Sequence, residues 1–159
     1  MFDYFYEQAV GRGFKLFANP ALHGGGRRIA NGVLFCDSLG GTVLDYPLKT
    51  QNLIDRVTEF ANAYPCEWIN PFNEDGRPGN QWTTEQFNTI YASLSSQLNG
   101  AELVGACQRG IQAGILTFEQ THVDQYITIA TTHNLGFQHE LWPDYIALAT
   151  EKGFLVKAC

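Results

Sequence analysis

The stretch "AELVGACQRGIQAG", residues 101–114, is the one on which the reading of the fold turns. It follows Asn99-Gly100, a helix-ending pair. Leu103, Val104, Cys107 and Ile111 share one stripe at helical spacing, so the pattern predicts a helix. Gly105 and Gly110 weaken that helix by about 1 kcal/mol each relative to Ala. Glycines at these positions would also let another backbone come close.

The flanking segments carry helical signals of their own. "TTEQFNTIYASLSSQLNG" (83–100) opens with Thr83 and Gln86 at capping-box spacing. Its apolar face is Phe87, Ile90, Tyr91, Leu94 and Leu98. "TFEQTHVDQYITIATTHNLG" (117–136) offers a second box in Thr117 and Gln120, with Val123, Tyr126, Ile127 and Ala130 inward and Asn134 near the C-cap. "LWPDYIALATEKGF" (141–154) has Pro143 in its first turn and Gly153 then Phe154 at its end. Helices joined by such short turns are expected to pack together.

Upstream, "LKTQNLIDRVTEFANAYP" (48–65) places Leu53, Ile54, Val57, Phe60, Ala61 and Tyr64 on one stripe, and Pro65 stops it. The segment 65–82 reads as a long loop with three prolines. "RIANGVLFC" (28–36) and "GTVLDY" (41–46) read as two strands around the turn "DSLGG" (37–41), a hairpin. The expected fold is therefore α+β. A short N-terminal hairpin and an irregular aromatic arm, residues 1–49, pack on a mainly helical part, 50–159, of four to five helices with a loop at 65–82. At 159 residues the chain is expected to form one domain.

Charged residues make up 16% of the chain, against roughly 25% in ordinary soluble domains. Depletion of Lys, Glu and Asp marks interface cores. The net charge of −6 argues against wide non-specific nucleic-acid binding. No apolar run approaches the roughly 18 residues of a membrane span. "MFDYFYEQAVGRG" lacks a basic region ahead of an apolar core, so no signal peptide is expected and the expected location is the cytoplasm or a virion. Cys36, Cys66, Cys107 and Cys159 form no CxxC pair and are expected as reduced thiols.

"HGGG" at 23–26 is the string of some esterase oxyanion loops, but the nucleophile elbow G-x-S-x-G is missing. Nor do these glycines lead into a helix with GK[ST], as a phosphate cradle requires. They read as backbone freedom. Arg12, Lys15, Arg27 and Arg28 lie among aromatics, a pattern that can follow a nucleic-acid strand, although a solvated charge group explains it more simply. His122 and His133, eleven apart on one expected helix, would stand about 16 Å apart and share no metal. His133 and His139 could approach across Asn134–Gly136, but the spacing matches no zinc pattern, and neither a metal nor a cofactor is expected. Cys36 with His133 or His139, oriented by Asn134 or Asp37, is the best enzymatic alternative, a small Cys–His hydrolase or effector. "NPFNEDGRPGN" fails the calcium-loop template, and Glu74 with Asp75 as a glycosidase pair would need a partner at defined separation. The last helices carry too few basic residues for a helix-turn-helix reader.

"IQAGILTFEQTHVDQYITIA" (111–130) resembles short helix–turn–helix passages of phage-encoded small proteins, and the low charge with many Asn, Gln and Thr resembles virion and assembly proteins. That resemblance implies a non-enzymatic interaction or assembly subunit, a phage-like structural component, in a homo- or hetero-oligomer with other protein chains. Phe2, Tyr4, Phe5 and Tyr6, with Arg12, Lys15, Arg27 and Arg28, would then meet the partner. A host-directed inhibitor fits the same composition.

Overall fold

The computed structural model describes residues 2–20, 46–74 and 82–158. Its elements are α1 (Phe2–Gly11), β1 (Phe17–Ala18), α2 (Tyr46–Ala63), β2 (Trp68–Ile69), α3 (Thr84–Gln97), β3 (Glu102–Gln108), α4 (Ile111–Gln120), β4 (Ile129–Thr132), α5 (Trp142–Glu151) and β5 (Leu155–Ala158). Short 3-10 turns at Val123–Gln125 and His139–Leu141 precede β4 and α5.

The five strands form one parallel sheet in the order β1-β2-β3-β4-β5. Parallel neighbours need a crossover, here a helix each time, and right-handed crossovers in strict sequence put α2 to α5 on one face. The core lies between the two layers. Ile69, Leu103 and Ala130 from the sheet meet Leu53, Ile54, Phe87, Ile90, Ile111 and Tyr145 from the helices. The sheet is curled. Lys157 on β5 stands 3.9 Å from the Trp68 ring centroid on β2. Three strand spacings would separate those backbones by about 14 Å if the sheet were flat. The architecture is thus a half-barrel of βα units.

This overturns the expected hairpin with a helical C-terminal part. The decisive stretch 101–114 is not one helix: Glu102–Gln108 is the sheet's longest strand, and α4 starts only at Ile111. Residues 117–136 likewise hold the end of α4, a 3-10 turn and β4. All four residues of β4 are buried. The expected hairpin strands fall mainly in 21–45, outside the described residues. In the expected loop 65–82, Trp68–Ile69 is a strand. The helices α2, α3 and α5 form where their patterns place them. Thr83 and Gln86 make the capping box, with Gln86 N–H donating to Thr83 Oγ1 at 3.1 Å and Thr83 N–H to Gln86 Oε1 at 2.9 Å. At the end of α5, Gly153 has φ +80° and Phe154 N–H donates to the Ala149 carbonyl at 2.9 Å. Among the described residues no helix is long and apolar enough to cross a membrane.

Gly105 has a reason that belongs to the strand. The Tyr91 hydroxyl of α3 donates to the Val104 carbonyl at 3.0 Å. A Cβ on Gly105 would stand 2.6 Å from that oxygen. The close approach is by a side chain, not a second backbone. Gly105→Ala should destabilise the chain by about 1–3 kcal/mol in chemical denaturation, the usual range for an overpacked core. In the background of Tyr91→Phe, which removes the colliding oxygen, the same substitution should cost measurably less.

Candidate functional site at the carboxyl edge of the sheet

In open and closed parallel α/β sheets, ligands meet the carboxyl ends of the strands. Here that edge is built from Asn19 after β1, Asn73 and Glu74 after β2, Gln108 and Arg109 at the end of β3, and His133 and Asn134 after β4. Hydrogen bonds tie these positions together. Asn19 Nδ2 donates to Asn73 Oδ1 at 3.2 Å. Glu74 N–H donates to the Cys107 carbonyl at 2.9 Å, and His133 N–H to the Gln108 carbonyl at 2.8 Å. The Thr132 hydroxyl bridges the Gln108 and Gly110 carbonyls.

Two backbone positions at this edge are unusual. Glu74 has φ +57° and Cys107 φ +37°, both in the left-handed region that disfavours side chains other than glycine. Such conformations cost roughly 1–3 kcal/mol and persist where the surroundings fix them. For Glu74 the fixing contact is the Cys107 carbonyl. The β3–β4 register is irregular between Gly105 and Gln108, and the bulge turns Cys107 toward Thr131, whose Oγ1 accepts the Cys107 N–H at 3.1 Å. Cys107 was expected as a reduced thiol on a helix face; it is instead a strand residue and is disulfide-bonded.

His133 is half-buried, and its Nε2 has no hydrogen-bond partner. Burial pushes its pKa below the usual histidine value, while the nearby Glu74 carboxylate opposes the shift. The ring is therefore neutral at neutral pH, next to a carboxylate. Gln108 is completely buried with both amide atoms unpartnered.

The other expected site residues distribute as follows. His122 and His133 do not share a helix: His122 precedes the 3-10 turn and His133 follows β4. Asn134 Nδ2 lies 3.0 Å from His139 Nδ1. Cys36 itself, with Asp37, His23, Arg27 and Arg28, lies outside the described residues. The aromatic start is the helix α1. Tyr4 and Phe5 are exposed, while Tyr6 packs edge-on against Tyr64 and donates to the Pro65 carbonyl at 2.8 Å. The side chain of Phe2 is not described. Arg12 is exposed, and Lys15 lies 5.7 Å from the Trp68 ring centroid. Among the described residues no group of three or more His, Cys, Asp or Glu could hold a metal ion. Sequence reasoning missed Asn19, Asn73 and Gln108. Their one signal is position after a parallel strand, and that requires the strands to be found first.

The fold and this edge define an α/β protein of the parallel half-barrel class. No family model matches the chain, and no curated protein matches it either. Among solved structures it is similar to the catalytic domain of GH30 xylanase C from Talaromyces cellulolyticus, with TM-score 0.49 and 14% identity over 84% of this chain and 36% of that one. The chain thus spans about a third of that domain.

These findings correct the functional expectation. The expectation of a non-enzymatic assembly subunit, and of a phage-like structural component in particular, rests on low charge and an exposed aromatic start. The chain is instead a parallel βα half-barrel, and its aromatic start is a helix whose Tyr6 packs on Tyr64 and bonds the Pro65 carbonyl, just past the end of α2.

Two outcomes test the edge. Glu74→Gly relieves the backbone and should leave stability unchanged or raise it by up to about 1 kcal/mol, measured by chemical denaturation, even though it deletes a side chain. His133 binds its proton less readily folded than unfolded, so below about pH 6.5 the unfolded state takes up more protons and stability falls with pH. Unfolding midpoints between pH 7.5 and 5 should show a steeper fall in the native chain than in His133→Gln.

Proposed function

We propose that the carboxyl edge is an acid–base active site for a neutral, hydroxyl-rich substrate, with a glycoside as the substrate class. The observation that carries the reading is Glu74, a carboxylate held in a strained left-handed conformation in the segment that follows β2, within electrostatic reach of the neutral His133. Strain of this kind clusters at functional sites. Beside Arg109, the same edge carries the neutral amides Asn19, Asn73, Gln108 and Asn134, which suit hydroxyl groups.

In the working form the pair carries one proton. His133 carries it and gives it to the departing glycosidic oxygen as the C–O bond breaks. The Glu74 carboxylate takes a proton from the water that attacks the anomeric carbon, leaving a free sugar, an alcohol, a carboxylic acid and a neutral imidazole. Proton exchange with solvent resets the pair. The reading stands on these side chains and not on the likeness to the xylanase domain.

Hydrolysis of a panel of p-nitrophenyl glycosides tests it by the release of nitrophenol. Glu74→Gln should lower turnover by about 10²–10⁴-fold with little change in substrate binding. The rate profile should be bell-shaped with its alkaline limb below about pH 6.5, because the single proton leaves with the depressed His133. Full activity in Glu74→Gln, or no hydrolysis of any glycoside by the native chain, would overturn the proposal.

A further inference from the structure

Phe137 stands on the loop that leaves β4 at the same carboxyl edge, four residues after His133. It is 79% exposed, more than any other large apolar residue among the described residues. Its backbone has φ +53°, in the left-handed region where a bulky side chain is an outlier. A turn that served stability alone would carry glycine or asparagine here. Phe137 is unfavourable on both counts, through a strained backbone and through aromatic surface left in water.

The loop holds this residue firmly. Leu135 N–H donates to the Arg109 carbonyl at 3.1 Å, and Phe137 N–H to the Asn134 carbonyl at 3.3 Å. Gln138 N–H donates to Asn134 Oδ1 at 2.7 Å, and Gln138 Oε1 accepts the Gln112 N–H at 3.1 Å, which ties the loop to the first turn of α4. The bond from Gln138 fixes which way the Asn134 amide points, so Asn134 Nδ2 donates to His139 Nδ1 at 3.0 Å. In the neutral His139 ring the proton then sits on Nε2. His139 is exposed, and its ring centroid lies 6.4 Å from that of Phe137. An aromatic ring on a pinned loop thus stands in solvent beside an exposed imidazole.

An aromatic face carries negative charge density and attracts the positive side of polarised C–H bonds. A pyranose with equatorial hydroxyls turns its axial C–H bonds to its two faces and its hydroxyls to its rim. Stacking takes apolar surface of both rings out of water, while the rim keeps its hydrogen bonds. Four residues of chain span at most about 14 Å, so Phe137 stands within a short oligosaccharide's length of His133.

We infer that Phe137 is the stacking platform of a sugar subsite beside the acid–base pair. It takes the C–H face of a pyranose whose ring hydroxyls are equatorial, with His139 at the rim. This subsite rests on the glycoside reading of the pair, and it holds a sugar unit neighbouring the one whose bond is broken.

The full-length Glu74→Gln chain, in which hydrolysis is suppressed, is titrated with cellotriose and with sorbitol and followed by two-dimensional aromatic and amide NMR. Cellotriose should move the ring resonances of Phe137 and His139. Sorbitol, which has the hydroxyls and no ring face, should not. Adding Phe137→Ala should weaken cellotriose binding about three- to tenfold, and Phe137→Trp should restore it. Phe137→Gly separates binding from structure: relief of the positive φ should leave the unfolding midpoint unchanged or higher, while the sugar binds as weakly as to Phe137→Ala. Affinity unchanged by Phe137→Ala, shifts confined to other regions, or no cellotriose binding at millimolar concentration would each overturn the subsite. If the native chain hydrolyses no glycoside while cellotriose still shifts Phe137, the acid–base assignment falls and the subsite stands. If nitrophenyl glycosides are hydrolysed while cellotriose affinity is unchanged by Phe137→Ala, the subsite falls alone.

Discussion

The Tyr91 hydroxyl ties the helical layer to the middle of the sheet. It reaches from α3 through the core to the Val104 carbonyl, a backbone group already inside a parallel ladder, and it needs the missing Cβ of Gly105 to do so. The side chain is completely buried, so its hydroxyl must find a partner or remain a costly orphan. That requirement fixes the height of α3 along β3. With β3 fixed, β4 follows by register, and the carboxyl edge where Gln108 meets His133 is set at the same time. The Phe72–Phe87 and Phe72–Trp82 ring contacts close the top of this layer beside the segment that carries Asn73 and Glu74.

How much of this the chain reveals before folding depends on how many faces of each element are covered. Helices α2, α3 and α5 lie on the outer surface with one stripe inward, and a one-sided burial pattern writes itself at 3.6-residue spacing. Leu53, Ile54 and Val57 are legible for that reason. Strand β3 is different. Leu103 and Val104 are adjacent and both buried, one under the helices and one on the inside of the curl, so the strand has no alternation. Once alternation is lost, Leu103, Val104, Cys107 and Ile111 fit a helical stripe by coincidence, and the run of helix-compatible residues around them does not protest. Strand β4 misleads in another way. Thr131 and Thr132 are buried and hydrogen-bonded, where a polar residue normally signals the outside.

The edge residues inherit this illegibility. Strands β1 and β2 have two residues each, shorter than any periodic signal, and β2 stands in a proline-rich segment that reads as a loop. Asn19 and Asn73 are therefore 54 positions apart with nothing to suggest contact, although their amides are bonded. His133 shows the cost of the misread strand most directly. Placed on a helix with His122, it looks like a metal-ligand candidate that fails on distance. Placed after β4, it becomes a neutral imidazole beside a carboxylate, because the crossover architecture collects the ends of successive strands.

The shortage of ionic side chains also takes a different meaning in this fold. It was read as a surface awaiting other chains. In the half-barrel much of the polarity is internal: Thr117, Thr121, Thr131, Thr132, Asn70, Gln86 and Gln108 are all buried. Lysine or glutamate at those places would carry an uncompensated charge into the layer between sheet and helices, whereas hydroxyls and amides can be satisfied by nearby carbonyls. Thr117 donates to the Ala113 carbonyl, Thr121 to the Thr117 carbonyl, and Gln86 to Thr50. Each is a neutral polar group held in place by a neutral partner. The low charge thus follows in part from a sheet covered on one face by helices and curled on the other, with strand ends that must be polar without being ionic. Gln108 is the exception, a buried amide at the end of β3 with neither atom paired.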